Sequence, residues 1–264
     1  MSTQSAFRGG RPIAAALLAV LLAAPDMLAS PQEPAASATR TAPSPTVDEI
    51  VAGYVAARGG LKRLRSLQTL RQEGRVSAGA GREGLVTREI KRGGRIRFEF
   101  TVQGVTSVFA FDGQHGWKVH PFEGVMAPQP LPDEVVMEAG EQADIDGPLV
   151  DWKSKGHQIE LDGREVVDGR EAYKLKLTLK SGGVLFAYVD VRSKYLIRTE
   201  STRQERGRPV RIETTFGDYR KTSRVLFPHL VEVRAAGRPQ VLRVVVDKIE
   251  VNPPLSDAHF APPG

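Results

Sequence analysis

Through most of the chain apolar residues fall on every second position. In Arg95–Val102, Arg95, Arg97, Glu99 and Thr101 alternate with Ile96, Phe98, Phe100 and Val102. Tyr173, Leu175, Leu177 and Leu179 alternate with Lys174, Lys176, Thr178 and Lys180, and Val210, Ile212 and Phe216 alternate with Arg211, Glu213 and Thr215. A period of two puts the two sets on opposite faces of an extended strand. Weaker versions of the pattern predict strands at Leu67–Val76, Leu85–Lys91, Val105–Phe111, Trp117–His120, Gln158–Leu161, Val184–Val191, Leu196–Ser201, Val225–Arg234 and Val241–Val251. Asp112-Gly113, Asp162-Gly163 and Asp168-Gly169 are hairpin-type turn signals. Strands joined by links this short predict antiparallel pairing rather than βαβ units.

The pattern turns helical in two places. Thr46 and Glu49 form a capping box ahead of a stretch that puts Val47, Ile50, Val51, Tyr54 and Val55 on one side. Gly59 and Gly60 end it, and a short turn over Leu61–Ser66 follows. Within the strand series, Pro132 suits a first helical turn, and Asp133 and Glu134 suit the positive end of a helix dipole. Val135, Val136, Met137, Ala139 and Ala143 come next, before Gly147-Pro148 and Trp152.

Strands with one apolar face need that face covered. Two short helices cannot hide the apolar face of about a dozen strands, the number the alternation predicts. The prediction is a mainly β, α+β domain: a curved antiparallel sheet with an N-terminal helix and an inserted helix over an apolar cavity. Candidate cavity residues on the strands are Phe98, Phe100, Phe109, Phe111, Trp117, Tyr173 and Leu175, with Val136 and Met137 on the inserted helix as a lid and Trp152 beside them. Core packing and ligand contact use the same residue types, so composition leaves both readings open for each.

The N-terminus has a different pattern. Arg8 and Arg11 precede an apolar run from Ile13 to Ala24, followed by Pro25 and the small residues Ala29 and Ser30. This is the layout of a signal peptide over residues 1–30, with Ala35–Ala38 as an alternative cleavage zone. The run is short for a membrane span, and an uncleaved anchor is the competing reading. Residues 31–46, rich in Pro, Ala, Ser and Thr, read as a linker ahead of one domain over 47–264. The chain has no cysteine, which excludes a lipobox, disulfides and thiolate metal sites. Its net charge of +6 is dispersed and carries no basic stripe with interleaved aromatics, so no nucleic-acid partner is expected.

Candidate chemistry is sparse. Gly79, Gly81 and Gly84 spell a glycine pattern known from dinucleotide sites, but a strand rather than a helix follows, so it reads as a hairpin. His115 and His120 flank Trp117, and His157, His229 and His259 are scattered without ligand spacing, so no metal is expected. The two near the turn read as surface residues. Asp144 and Asp146 read as loop carboxylates that cap or stay solvated rather than catalyse. There is no nucleophile elbow, and no cofactor or catalytic set is expected.

Several short pieces occur together in order. Ala56–Gly60 closes the first helix ahead of Ser66-Leu67. Phe111-Asp112-Gly113 and Gly116-Trp117 follow, then Tyr188-Val189-Asp190 and Tyr195-Leu196-Ile197. Tyr219-Arg220, Phe227-Pro228, Ile249–Asn252 and Phe260-Ala261-Pro262 complete the series. Over residues 47–263 this resembles the outer-membrane lipoprotein-sorting proteins of the LolA/LolB-like superfamily. The resemblance implies a half-barrel with a helical lid, and a periplasmic, monomeric, non-catalytic carrier of lipid or lipoprotein acyl chains. It also implies transient membrane-associated donor and acceptor proteins. An envelope interaction module or stress sensor, whose cavity tunes partner binding, is the alternative it leaves open.

Overall fold

The computed structural model describes residues 45–79, 83–205 and 208–263. The signal-peptide and most of the linker assignments, and Gly81 of the glycine pattern, lie outside the described residues.

The strands run β1 Thr69–Ala78, β2 Glu83–Lys91, β3 Arg95–Val102, β4 Val105–Phe111, β5 Gly116–His120, β6 Val125–Pro130, β7 Gln158–Val167 and β8 Arg170–Thr178. They continue with β9 Val184–Asp190, β10 Leu196–Glu205, β11 Arg208–Thr222, β12 Val225–Ala235 and β13 Val241–Val251. All belong to one open sheet, in the order β6-β5-β4-β3-β2-β1-β13-β12-β11-β10-β9-β8-β7. Every described pairing is antiparallel. Strands adjacent in the sheet are consecutive in sequence except at one place, where β13 returns beside β1, so the first and last strands lie at mid-sheet and β6 and β7 form its edges. The sheet is not closed into a barrel, in keeping with a curved half-barrel.

Two local expectations are corrected. Asp162-Gly163 is not a hairpin turn: β7 runs through it, and the extra residues are taken up as a bulge where the register with β8 shifts between Leu161 and Arg164. The hairpin is made by Asp168-Gly169, whose φ of 47° and 75° put both residues in the left-handed region such turns need. The sequence pattern also missed β6, which contains Pro128 and Pro130; an edge strand tolerates prolines because one of its sides has no ladder to feed.

The helices form as their caps require. Helix α1, Val47–Ala57, begins with the capping box: the Thr46 amide donates to Glu49 Oε2 at 2.7 Å and the Glu49 amide to Thr46 Oγ1 at 3.3 Å. It buries Ile50, Val51 and Tyr54. Helix α2, Leu61–Arg65, buries Leu64. Helix α3, Asp133–Gln142, lies against β3, β4 and β5.

Registry fixes which side chains share a face. Phe98 pairs with Phe109 and Ile96 with Phe111, so these rings project from the inner face. Gly116 pairs with Phe111 on that same face, and a Cβ there would come within 2.9 Å of both Leu131 and Val136. The bare backbone at Gly116 therefore lets α3 settle onto the sheet. The outer face has covers of its own. Beyond β13 the chain crosses β1–β5: Thr69 Oγ1 donates to the Pro253 carbonyl at 2.6 Å and Lys91 Nζ to the Leu255 carbonyl at 2.7 Å. Arg97 Nη1 donates to the His259 carbonyl at 3.2 Å, while Phe260 is completely buried. Across the other wing, Val167, Ala172, Tyr188 and Ile197 form a second small cluster on the outer face.

Candidate functional site

The inner face is packed at its two wings and open at its centre. Two adjoining chambers lie there, one of about 900 Å³ and one of about 320 Å³. These are the sizes at which proteins hold small apolar ligands. The smaller chamber is walled by Val86, Phe98, Ile212, Val231, Val233 and Val244 from β2, β3, β11, β12 and β13. The larger extends beneath α3 and the segment after it, towards the β8–β9 hairpin and Tyr219. Both chambers share the polar side chains Gln72, Arg88, Gln142, Thr199 and Arg203.

Helix α3 roofs this space by two kinds of contact. Val136 packs over Gly116, Gly140 sits on the Phe111 ring edge, and Ala139 is buried. Its other side is tied by polar groups: Arg203 Nη1 to Glu138 Oε2 at 2.6 Å, Ser181 Oγ to Glu141 Oε1 at 2.7 Å, and Arg88 Nη2 to the Gln142 carbonyl at 3.0 Å. The segment that follows is pinned more firmly. Arg92 makes a two-pronged pair with the buried Asp146 at 2.7 and 2.9 Å, and Lys155 bonds both oxygens of Asp144 at 2.8 and 2.6 Å. The hydrogen bond to Asp146 holds the Arg92 guanidinium above its ordinary pKa. Asp144 also accepts the Asp146 amide at 3.3 Å, so the capping expectation holds for it, with the Lys155 cation added.

Burial pushes the Arg88 guanidinium down to about 10, so it stays charged at neutral pH. His157 lines the larger chamber; its Nδ1 accepts the Lys180 amide at 3.0 Å, and burial, ahead of the Lys155 charge, lowers its pKa. Burial raises the Tyr219 hydroxyl, which donates to the Leu196 carbonyl. Glu138, Glu141, His157 and Tyr219 are thus all engaged in structural ties. Among the described residues no group of His, Asp and Glu is arranged to hold a metal ion.

The predicted cavity residues divide. Phe98 walls the smaller chamber, with the Arg88 guanidinium 5.8 Å from its ring centre, and Met137 faces the larger one while remaining half exposed. Phe100, Phe109, Phe111, Tyr173 and Leu175 are buried in the core beside the cavity, Val136 is wedged between α3 and the sheet, and Trp152 packs half-buried against the same core. Trp117 is a correction. It pairs with Ala110, which places it on the outer face, where Nε1 donates to the Phe260 carbonyl at 2.8 Å and Arg97 lies 5.5 Å from the ring. His120 is a second: it is 1% exposed, bonded through Nδ1 to Ser107 Oγ at 2.7 Å, whereas His115 is exposed as expected. Sequence reasoning missed Gln72 and Arg88. Their signal is a polar residue at an inner position, Arg88 between Val86 and Ile90 and Gln72 between Leu70 and Gly74, and the two strands place them directly opposite each other.

No protein-family model matches this sequence, and no curated protein is similar enough in sequence to be matched with it. Solved structures are similar in shape. A LolA-superfamily protein from Nitrosomonas europaea aligns with a TM-score of 0.54 at 14% identity, over 83% of this chain and 98% of that one. This chain shares the fold of that protein. A protein of the DUF1329 family from Desulfovibrio piger aligns at 0.56 and 15% identity, over 81% of this chain and 97% of that one. An outer-membrane lipoprotein-sorting protein domain from Vibrio parahaemolyticus aligns at 0.55 and 11%, with coverages of 81% and 97%. The LolA-like resemblance expected from the sequence is met in the fold. No described helix is long and apolar enough to cross a membrane.

Proposed function

We propose that this protein is an exported, non-catalytic carrier that shields the acyl chain of a lipid or lipoprotein in the periplasm, with α3 as its lid. The observation that carries this reading is the open centre of the inner face: about 900 Å³ of space beneath a helix, beside a valine-walled chamber, in a sheet whose wings are fully packed. A domain that only needed a core would have collapsed such a void, because unfilled apolar space forfeits packing contacts. The LolA-like fold and the signal-peptide pattern of residues 1–30 support the same reading.

Burial would supply the affinity. Each CH₂ taken out of water contributes about 0.8 kcal/mol, so a chain of about 14 carbons offers about 11 kcal/mol before ordering costs. Loading and release follow from the roof: three polar ties hold the free side of α3, and water can replace each of them when the helix lifts. Membrane-associated donor and acceptor proteins would then take part only while the lid is open.

The test is saturable binding of a fluorescent fatty-acid analogue by the purified protein, beside a Val231→Trp/Val244→Trp variant that fills the smaller chamber. The variant is expected to melt within a few degrees of the parent and to bind the probe at least tenfold more weakly. A parent protein that shows no saturable binding overturns the proposal.

A further inference from the structure

Arg88 is a cation at the junction of the two chambers with no carboxylate partner among the described residues. It leaves β2 on the inner face, between Val86 and Ile90, and is enclosed by protein while keeping one side open to the cavity. Neighbouring Arg92 and Arg203 each hold a carboxylate, Asp146 and Glu138. Arg88 holds none among the described residues: its hydrogen bonds go to neutral oxygens, Gln72 Oε1 at 2.9 Å and the Gln142 carbonyl at 3.0 Å. A guanidinium has five N–H donors, so donors remain to be satisfied. Beside it, Gln142 Nε2 is fully buried and donates to nothing. Enclosing a cation without its counter-charge is costly, and leaving a buried donor unpaired adds to the cost. Both features sit where the two chambers meet, and both lack the same thing, a hydrogen-bond acceptor carrying negative charge.

Resting on the acyl-chain reading above, we infer that the ligand is a single-chain amphiphile with an anionic head, a carboxylate or a phosphate. The head bonds Arg88 and Gln142 Nε2 at the junction, and the chain lies in the chamber walled by Val86, Phe98, Ile212, Val231 and Val244. Charge-assisted hydrogen bonds are the strong kind, and Arg matches the paired oxygens of either head group. A neutral ester leaves both donors unpaired, which is how the site discriminates.

The experiment is displacement of a fluorescent hydrocarbon probe by palmitate, by 1-palmitoyl lysophosphatidate and by methyl palmitate. The parent protein is expected to bind at least one of the two anions about tenfold or more tightly than the ester, since a bond to a charged group is worth roughly that factor. The tighter anion identifies a free fatty acid or a lysophospholipid as the source. Arg88→Met is expected to bring the preferred anion to within about threefold of the ester, with ester affinity held, and Arg88→Lys to keep most of the preference. Gln142→Leu, which removes Nε2 but leaves the carbonyl that Arg88 uses, is expected to cut the preference in part. It serves as the test if Arg88→Met does not fold. Equal binding of ester and anions by the parent overturns this inference alone. So does an Arg88→Met variant in which all three weaken together, because Arg88 then acts only as a tie on α3. Failure of all three ligands to displace the probe removes the inference together with the acyl-chain reading.

Discussion

The wings of the sheet and its centre follow the same alternation yet end differently. On the β2–β5 wing the inner residues are Ile96, Phe98, Phe100, Phe109 and Phe111, with α3 set down on them; on the β7–β9 wing they are Tyr173, Leu175, Leu177, Ala187 and Val189. At the centre, β11–β13 present Ile212, Phe216, Val231, Val233, Val244 and Val246 to open space. All are apolar faces of antiparallel strands. They differ in what reaches across. Helix α3 packs closely on β3–β5, but it reaches β2 and β10 through polar side-chain ties and spans the larger chamber without filling it. Burial of strand residues is therefore decided by the connection that folds back onto them, and a β-pattern carries that information only where a helix-like insert interrupts it.

The contrast can be broken most sharply on a wing. Leu175 is completely buried between β7 and β9 on the inner face. Leu175→Ala is expected to lower unfolding free energy by about 2–5 kcal/mol, since the lost transfer energy is joined by a cavity that rigid neighbours cannot close. Urea denaturation followed by circular dichroism measures this. A loss below about 1 kcal/mol would mean the wing is as loosely filled as the centre.

Overpacking tests the roof. Gly116→Val places methyl groups where Leu131 and Val136 already stand, 2.9 Å from the Cβ position. The expected cost is about 1–3 kcal/mol, and the strain is relieved by lifting α3. Hydrogen exchange should then speed up in Asp133–Gln142 and stay unchanged in Tyr173–Leu177. Uniform acceleration everywhere would show that α3 is part of one indivisible core.

A smaller effect belongs to the turn that carries the β7–β10 wing from β9 to β10. Burial alone would raise the Asp190 carboxyl, but bonds from the Ser193 amide and hydroxyl and the Arg192 amide, with the Arg170 charge, outweigh it and hold the pKa below its ordinary value. A depressed carboxyl stabilises the fold fully above the unfolded-state pKa. That contribution is lost as pH falls through the ordinary carboxylate range towards the folded value. Asp190→Asn is expected to cost about 1 kcal/mol at neutral pH and to flatten the dependence between about pH 5 and 3. An unchanged slope would remove Asp190 as its source.

Much of this architecture was legible because alternation is a local property. The β3 run from Arg95 to Val102, the Thr46–Glu49 cap and the helical insert after Pro132 could each be read from neighbouring residues alone. The cavity wall could not. The reading favoured large aromatics, and large aromatics are what fill a covered wing, so Phe100, Phe109 and Phe111 proved to be core. Trp117 was misplaced for a related reason. Its strand is five residues long, and the phase of so short an alternation is set by a partner, Ala110, and by Phe260, which is distant in sequence. Arg88 and Gln72 were present in the pattern as polar interruptions of apolar faces. Their meaning depends on the β1–β2 register that brings them together.

The smallest stability change tests the centre most directly. Val231 and Val233 stand on β12 facing the smaller chamber, and both are only partly buried although their strand lies well inside the sheet. Truncating a side chain that already borders a void removes few packing contacts and creates no new enclosed cavity. Val231→Ala with Val233→Ala is therefore expected to cost less than about 1 kcal/mol in total, against the several expected for Leu175→Ala. The same truncation widens the chamber. Binding should change where stability does not: in a series of fatty acids of increasing length, the best-bound length should move upward in the variant. A loss of several kcal/mol would show that these valines are packed as tightly as the wings and that the centre is no cavity. A small loss with an unchanged length preference would show that the chain lies elsewhere, leaving the larger chamber under α3 as its place.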